Sequence, residues 1–192
     1  ISNWFSNINK KVSNNLSFSN KEMQNYLSYG ENSHQKAYFY QDEDVKINWG
    51  NFRQIQGKQL SYNNHLDLDA SLNLLYNFKN YSDNLVGIIK HTNPCGVASG
   101  KNILEAFKNA FACDPLSAFG GIVVINKKVS QDIALEIVEK FFEMIIAPDF
   151  DKKSLKIFSK KKNLRIIYLG TKWMLNKINK EEVRSVLHGT LV

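Results

Sequence analysis

After Asn84 the chain runs Leu85-Val86-Gly87-Ile88-Ile89 with no polar residue, and then breaks abruptly at Lys90-His91-Thr92-Asn93-Pro94-Cys95-Gly96. An apolar run of this length without polar alternation suits a strand buried on both faces, the kind found inside α/β sheets covered by helices on both sides. Pro94 cannot donate to a sheet ladder and Gly96 permits a tight turn, so the strand is expected to end near Lys90. A cation and an imidazole then stand side by side at the carboxyl end of a central strand, where open α/β sheets bind their ligands. Lys90 and His91 are therefore the first candidates for charge stabilisation and proton transfer.

The flanking sequence fits the same architecture. Residues 67–79 place Leu68, Leu72, Leu75 and Tyr76 at helical spacing, with Asp67 and Asp69 suited to a helix start. Residues 103–112 present Ile103, Leu104, Phe107 and Phe111, with Asn102 as N-cap and Glu105 three residues on. Strands are expected at Ile122–Ile125, Met144–Ala147 (stopped by Pro148) and Leu164–Leu169. The intervening helices start after Ser130, with Ile133, Ile137, Val138 and Phe141 facing the core, and around Lys153–Phe158. Strand and helix alternating at this rhythm give an α/β sheet with crossover connections. The first twenty residues read as a connector: a short apolar stripe at Trp4, Phe5 and Ile8, then an Asn/Ser-rich stretch to Asn20.

The net charge is +7, from 25 Lys and Arg against 18 Asp and Glu. Six lysines lie between Lys152 and Lys162. Only Phe158 could stack on a base within that run, so it reads first as a solvated helix end, next as a field that draws in an anionic ligand, and least as a nucleic-acid surface. No apolar run approaches the roughly 18 residues of a membrane span. The two cysteines, Cys95 and Cys113, lack C-x-x-C spacing and make no disulfide framework, which fits a cytoplasmic protein.

Four further segments combine turn residues with chemistry: Leu27-Ser28-Tyr29-Gly30-Glu31-Asn32-Ser33-His34-Gln35, Lys58-Gln59-Leu60-Ser61-Tyr62-Asn63-Asn64-His65-Leu66-Asp67, Asp114-Pro115-Leu116-Ser117-Ala118-Phe119-Gly120-Gly121, and Glu143-Met144-Ile145-Ile146-Ala147-Pro148. Singly, each has an ordinary structural explanation. Asn64 can be a helix cap, His34 a loop histidine, Phe119 core, and Gly120-Gly121 a turn. In this order, together with Lys90–Gly96, they resemble the transformylase half of the AICAR transformylase/IMP cyclohydrolase family. That family reads L-R-Y-G-E-N-P-H-Q, K-x-L-S-Y-N-N-x-x-D, K-H-x-N-P-C-G, D-P-x-S-A-F-G-G and I-I-A-P in succession. All five are present here with two departures, Ser28 for arginine and Ser33 for proline. The resemblance covers about residues 21–192, and residues 1–12 look like the tail of the preceding cyclohydrolase domain.

The resemblance implies a cytidine-deaminase-like α/β/α fold with a layered mixed sheet, here the first of two such units. It also implies a homodimer and formyl transfer from 10-formyltetrahydrofolate to the 5-amino group of AICAR nucleotide. Lys90 and His91 match the family's catalytic pair. Tyr29, Gly30, Asn64, Phe119, Gly120 and Glu143 match its nucleotide-contacting positions, and Ser28, His34, Asn93 and Ser117 are further possible contacts. Ser28 stands where the family has its phosphate-binding arginine, and a serine offers one neutral hydrogen bond in place of a bidentate charged pair. The second unit and the cyclohydrolase domain lie outside this sequence, so the 192 residues alone are expected to show no appreciable formyl transfer.

Two other readings compete. A zinc nucleobase deaminase shares the fold, and Pro94-Cys95 resembles part of its P-C-x-x-C motif. Position 98 is alanine, however, and no H-x-E occurs, so the metal ligands and the general acid/base are missing. No metal is expected. The other reading is a non-catalytic or decayed nucleotide-binding module, favoured by Ser28 and opposed by the intact Lys90-His91 pair.

Overall fold

The computed structural model describes residues 22–41, 53–78, 80, 83–170, 184–187 and 189–191. The connector expected over residues 1–20, the cyclohydrolase tail over 1–12 and position 79 of the first expected helix lie outside the described residues. Among these residues ten strands and five helices follow in the order β1 (Glu22–Tyr26), β2 (Tyr38–Gln41), β3 (Arg53–Gln56), α1 (Tyr62–Asn77), β4 (Asn84–Lys90), β5 (Asn93–Gly100), α2 (Ile103–Cys113), α3 (Pro115–Ala118), β6 (Ile122–Ile125), α4 (Gln131–Val138), β7 (Met144–Ala147), α5 (Lys152–Phe158), β8 (Arg165–Tyr168), β9 (Arg184–Val186) and β10 (Gly189–Leu191).

Six strands form one mixed sheet in the order β3-β8-β7-β6-β4-β5. The β6, β7 and β8 strands are parallel, joined through α4 and α5. Their neighbours β4 and β3 run antiparallel to them, and β5 is antiparallel to β4. Alternate residues of the same strands feed two cores, as the two-residue period of a strand requires. Ile122, Val124, Met144, Ile146 and Ile167 pack toward α1 with Leu68 and Leu75. Val123, Ile125, Ile145 and Ile166 pack toward α2, α4 and α5 with Phe107, Ile133, Ile137 and Phe158. The result is a three-layer α/β/α sandwich whose central strands are apolar on both faces. That double burial explains why β6 and β7 contain only apolar residues.

Several sequence expectations change in the structure. Segment 93–100 is a strand rather than a loop: β5 pairs with β4 along its length, and Pro94 sits opposite Ile89 beside a register shift. The strand tolerates proline because it forms the sheet edge, where a missing N–H breaks no interior ladder. The first expected helix starts five residues early, at Tyr62, because Ser61 caps it. Asp67 and Asp69 therefore lie inside α1 instead of at its start. At α2, Asn102 caps as expected, while the Glu105 carboxylate accepts from the Lys101 N–H. Ser130 occupies the N-cap position of α4 but makes no side-chain capping bond. Phe141 lies beyond the end of α4 and is 53% exposed, so it does not join the core.

The two layers on the β5 side meet at backbone distance. A Cβ built on Gly96 would lie 2.0 Å from the Ala110 carbonyl oxygen of α2. Only a residue without a side chain lets the helix lie this close to the strand. Gly96→Ala should therefore displace α2 and cost about 1–3 kcal/mol by the usual penalty for overpacking, read from the urea-unfolding midpoint. Phe107 is fully buried and makes edge contact with Phe142 at 6.0 Å between centroids. Phe107→Ala should cost about 3–5 kcal/mol in the same assay.

Candidate active site at the end of strand β4

Because β4 runs against β6, its carboxyl end lies among the amino ends of the three parallel strands. The ladder register shows this directly: Ile89 pairs with Ile122, Ile122 with Met144, and Met144 with Arg165. Lys90, Gly121, Glu143 and Leu164 thus occupy the margin of one sheet edge, one residue outside each of these paired positions. Backbone bonds stitch the margin together, from Gly120 N–H to Phe141 O, from Glu143 N–H to Gly121 O, and from Arg165 N–H to Glu143 O, at 2.8, 3.0 and 3.1 Å. At this margin β4 and β3 present their carboxyl ends, while β6 to β8 present their amino ends.

Lys90 closes β4 and extends its ammonium to the Phe119 carbonyl at 2.6 Å. His91 and Thr92 form the two-residue hairpin loop to β5, with φ of +52° and +63°. Left-handed conformation at both central residues defines the tight turn that matches strand twist, but it is usually built from Asn and Gly. A threonine at positive φ is a genuine outlier because of its branched Cβ, with a cost on the order of 1–3 kcal/mol. Local bonds hold the turn: the Thr92 hydroxyl and the Asn93 side-chain amide both donate to the His91 carbonyl, at 2.6 and 2.9 Å. A longer-range bond joins them, from the Thr92 N–H to the Asp67 carboxylate at 2.7 Å.

Asp67 lies one turn beyond Asn64 on the same face of α1. Partial burial pushes its carboxyl pKa up; the Thr92 N–H and the His91 charge act against this, and the nearby Glu143 carboxylate adds to it. Glu143 itself pairs with Arg165 at 3.4 Å. Arg165 is buried, and its second amino group reaches the Gln59 carbonyl at 3.4 Å. Sequence reasoning did not single out Arg165. The available signal was a charge at the head of the otherwise apolar strand Arg165-Ile166-Ile167-Tyr168, since arginine is almost never fully buried without a partner.

Phe119 and Gly120 line the same margin. Gly120 has φ +73°, a conformation glycine adopts without strain. Phe119 lies 5.0 Å from Phe141 at an interplanar angle of 38°. Phe119 is 63% exposed, so this aromatic pair is a surface beside Lys90 rather than core. Burial and the Asp114 charge push the Cys95 thiol pKa up, and the Lys90 charge acts against them. Ser117 is otherwise engaged: its N–H and hydroxyl both donate to Asp114, which caps the short α3.

Ser28, Tyr29, Gly30 and His34 form a second group, docked on the start of α1. The Ser28 N–H donates to Leu60 O, the Tyr62 N–H to Tyr29 O, and the Asn63 side chain to Glu31 O. Ser61 and Asn64 form a reciprocal capping box. Asn64 is buried, its carbonyl accepting the Ser61 N–H, while His34 is exposed. The hairpin of β1 and β2 leans on α1 through Phe39 stacked on His65, 4.9 Å between centroids. A cleft of about 590 Å³ opens along the loop, lined by Gly30, Glu31, Gln35, Lys36, Ala37, Tyr38 and Tyr62. None of the Lys90 group lines it. Helix α1 connects the two groups, through Asn64 at one and Asp67 at the other. Among the described residues no cluster of three or more His, Cys, Asp or Glu side chains could hold a metal ion, and no helix is long and apolar enough to cross a membrane.

The sequence model of the AICARFT/IMPCHase bienzyme family matches residues 1–192. A bifunctional purine biosynthesis protein PurH of Rhodospirillum rubrum is 50% identical over 141 residues, covering 73% of this chain and 26% of that protein. PurH of Enterococcus faecalis is 45% identical over 164 residues, covering 85% of this chain and 31% of that protein. PurH of Prochlorococcus marinus is 41% identical across the whole chain, which spans 38% of its length. The chain therefore spans between about a quarter and two fifths of these relatives. Ordered motifs, layered fold and sequence identity agree: the chain belongs to the AICARFT/IMPCHase bienzyme family.

Proposed function

We propose that this chain is the first half of the transformylase region of a purine-biosynthesis enzyme. In this reading it carries the proton-transfer and charge-stabilising residues for formyl transfer from 10-formyltetrahydrofolate to the 5-amino group of AICAR nucleotide. One observation carries the reading: the Lys-His pair of the family motif closes β4 and opens the turn to β5, and the Lys90 ammonium reaches the backbone of the Phe119-Gly120 motif. Residues 1–20 are assigned to a cyclohydrolase tail and linker, and 21–192 to the transformylase unit. IMP cyclohydrolase activity is assigned to the complete protein, and a cytoplasmic homodimer is the assembly in which the site would work. No nucleic acid or membrane partner is assigned.

The chemistry follows from the side chains. The amine attacks the formyl carbon, a new N–C bond forms, the bond from that carbon to the folate nitrogen breaks, and one proton moves from the amine to the folate nitrogen. An amine conjugated with an imidazole carboxamide is a weak nucleophile, so loss of its proton during attack lowers the barrier. The imidazole of His91 is suited in kind to accept that proton. Lys90 would stabilise the oxyanion that develops on the formyl oxygen. The exposed Phe119–Phe141 pair offers a flat apolar surface to an aromatic ligand.

Ser28 favours a second reading, a binding module that has lost catalysis. Its backbone N–H is occupied by Leu60 O and its side chain is uncharged. Two experiments in the full-length protein separate the readings. His91→Ala should lower kcat by about 10²–10⁴-fold, the usual contribution of a general base. A complete protein with no formyl transfer would instead favour the binding module. Ser28→Arg should tighten AICAR nucleotide binding roughly tenfold or more, as expected for an added charged hydrogen bond to phosphate. Unchanged affinity by calorimetry would mean that the loop reaches the phosphate in another way.

A further inference from the structure

The Asp67 carboxylate crosses from helix α1 to a turn 25 residues later in sequence and accepts its backbone N–H at 2.7 Å. Only two described non-glycine residues have positive φ, and they are His91 and Thr92, the two residues of that turn. Their conformation persists only if the surroundings over-determine it. Of the three bonds that hold it, the Thr92 hydroxyl bond is internal to the turn and the Asn93 bond comes from the first residue of β5, next in sequence. The Asp67 bond is the one of the three that ties the turn to helix α1, outside the β4–β5 hairpin. We infer that Asp67 is a positioning residue for His91, clamping the Thr92 amide so that the imidazole is presented at a fixed place beside Lys90. The inference rests on the proposed role of His91 in proton transfer.

The energetics support a functional rather than a structural reason for a carboxylate here. Burial raises the Asp67 pKa, and the Thr92 bond, the His91 charge and the Glu143 charge act on it with smaller weight. A group whose folded value is raised favours the folded chain most below its unfolded value, and this contribution is lost as pH rises through the folded value. At neutral pH the ionised Asp67 therefore opposes folding relative to its protonated form. Glu143, from the start of β7, also repels it, and only partly, since Glu143 is itself paired with Arg165. Asp67 further sits in mid-helix, where aspartate is a weaker helix former than alanine. Nothing in the packing of α1 requires a charge at this position.

The clamp can be read without turnover. In the full-length protein, the Thr92 amide proton followed by NMR should shift with pH as Asp67 titrates, with a midpoint above the ordinary carboxylate value of about 3.9. The shift should vanish in Asp67→Asn, which keeps an acceptor oxygen but no titrating group. A Thr92 amide that does not titrate overturns the clamp. Turnover in the full-length protein supplies the second reading. Asp67→Ala should lower kcat about 10–100-fold, as expected when a reacting group is misplaced by about an ångström, with the KM for nucleotide nearly unchanged. Asp67→Asn should keep most of the activity. Asp67→Ala combined with Thr92→Gly should recover much of the loss, because glycine adopts the turn conformation without strain. Full activity in Asp67→Ala, an Asp67→Asn loss as deep as that of alanine, or no recovery on adding Thr92→Gly would each overturn the positioning role. If the wild-type complete protein transfers no formyl group, the functional reading fails, and with it the purpose of the clamp, while the NMR titration still reports whether the bond exists.

Discussion

The antiparallel ladder between β4 and β6 organises everything that matters for function. Four register pairs, from Val86–Ile125 to Ile89–Ile122, lock the carboxyl end of β4 against the amino end of β6. Side-chain alternation leaves little freedom in this register: a slip of one residue would turn the β4 residues that face α1 toward α2 and reverse both cores. Because the strands are apolar on both faces, either error would leave mismatched packing on two sides. The position of Lys90 and His91 relative to Gly120 and Glu143 is thus fixed by core packing, well away from the side chains that would do chemistry.

Helix α1 makes the second connection. Leu60, Tyr62 and Asn63, which flank its capping box, bond the loop of Ser28, Tyr29 and Glu31, and its next turn delivers Asp67 to the hairpin that carries His91. One rigid element thereby sets the spacing between the loop matching the family's nucleotide contacts and the candidate base. Sites built on helices and strands hold geometry better than sites built on loops alone. The strain at His91 and Thr92 fits the same view, since left-handed non-glycine residues persist where the surrounding structure insists on them.

Much of this architecture was legible because burial on both faces leaves a strong imprint. The β4, β6, β7 and β8 strands are short runs of Ile, Val, Leu and Met between turn residues, and periodicity reads them directly. Strand β5 was not legible: Asn93-Pro94-Cys95-Gly96 has the composition of a loop, and only its edge position lets it pair. The start of α1 was read late because Asn64, rather than Glu or Gln, completes the capping box. Phe141 looked like core at helical spacing, yet α4 stops at Val138 and the ring emerges beside Phe119. In the candidate site, the motifs named Lys90, His91, Phe119 and Glu143, and the fold brings them to one margin. The use made of Asp67 and Arg165 was hidden, because their partners lie 25 and 22 residues away in sequence and no local pattern encodes such a bond.

The central claim is that His91 stands beside the amine that receives the formyl group. It is tested most directly by the crystal structure of the complete protein with AICAR nucleotide bound. A ring nitrogen of His91 should lie within about 3 Å of the 5-amino nitrogen, with the Lys90 ammonium on the side that the formyl oxygen will occupy. A nucleotide whose amine faces another side chain, with His91 beyond hydrogen-bond reach, would contradict it.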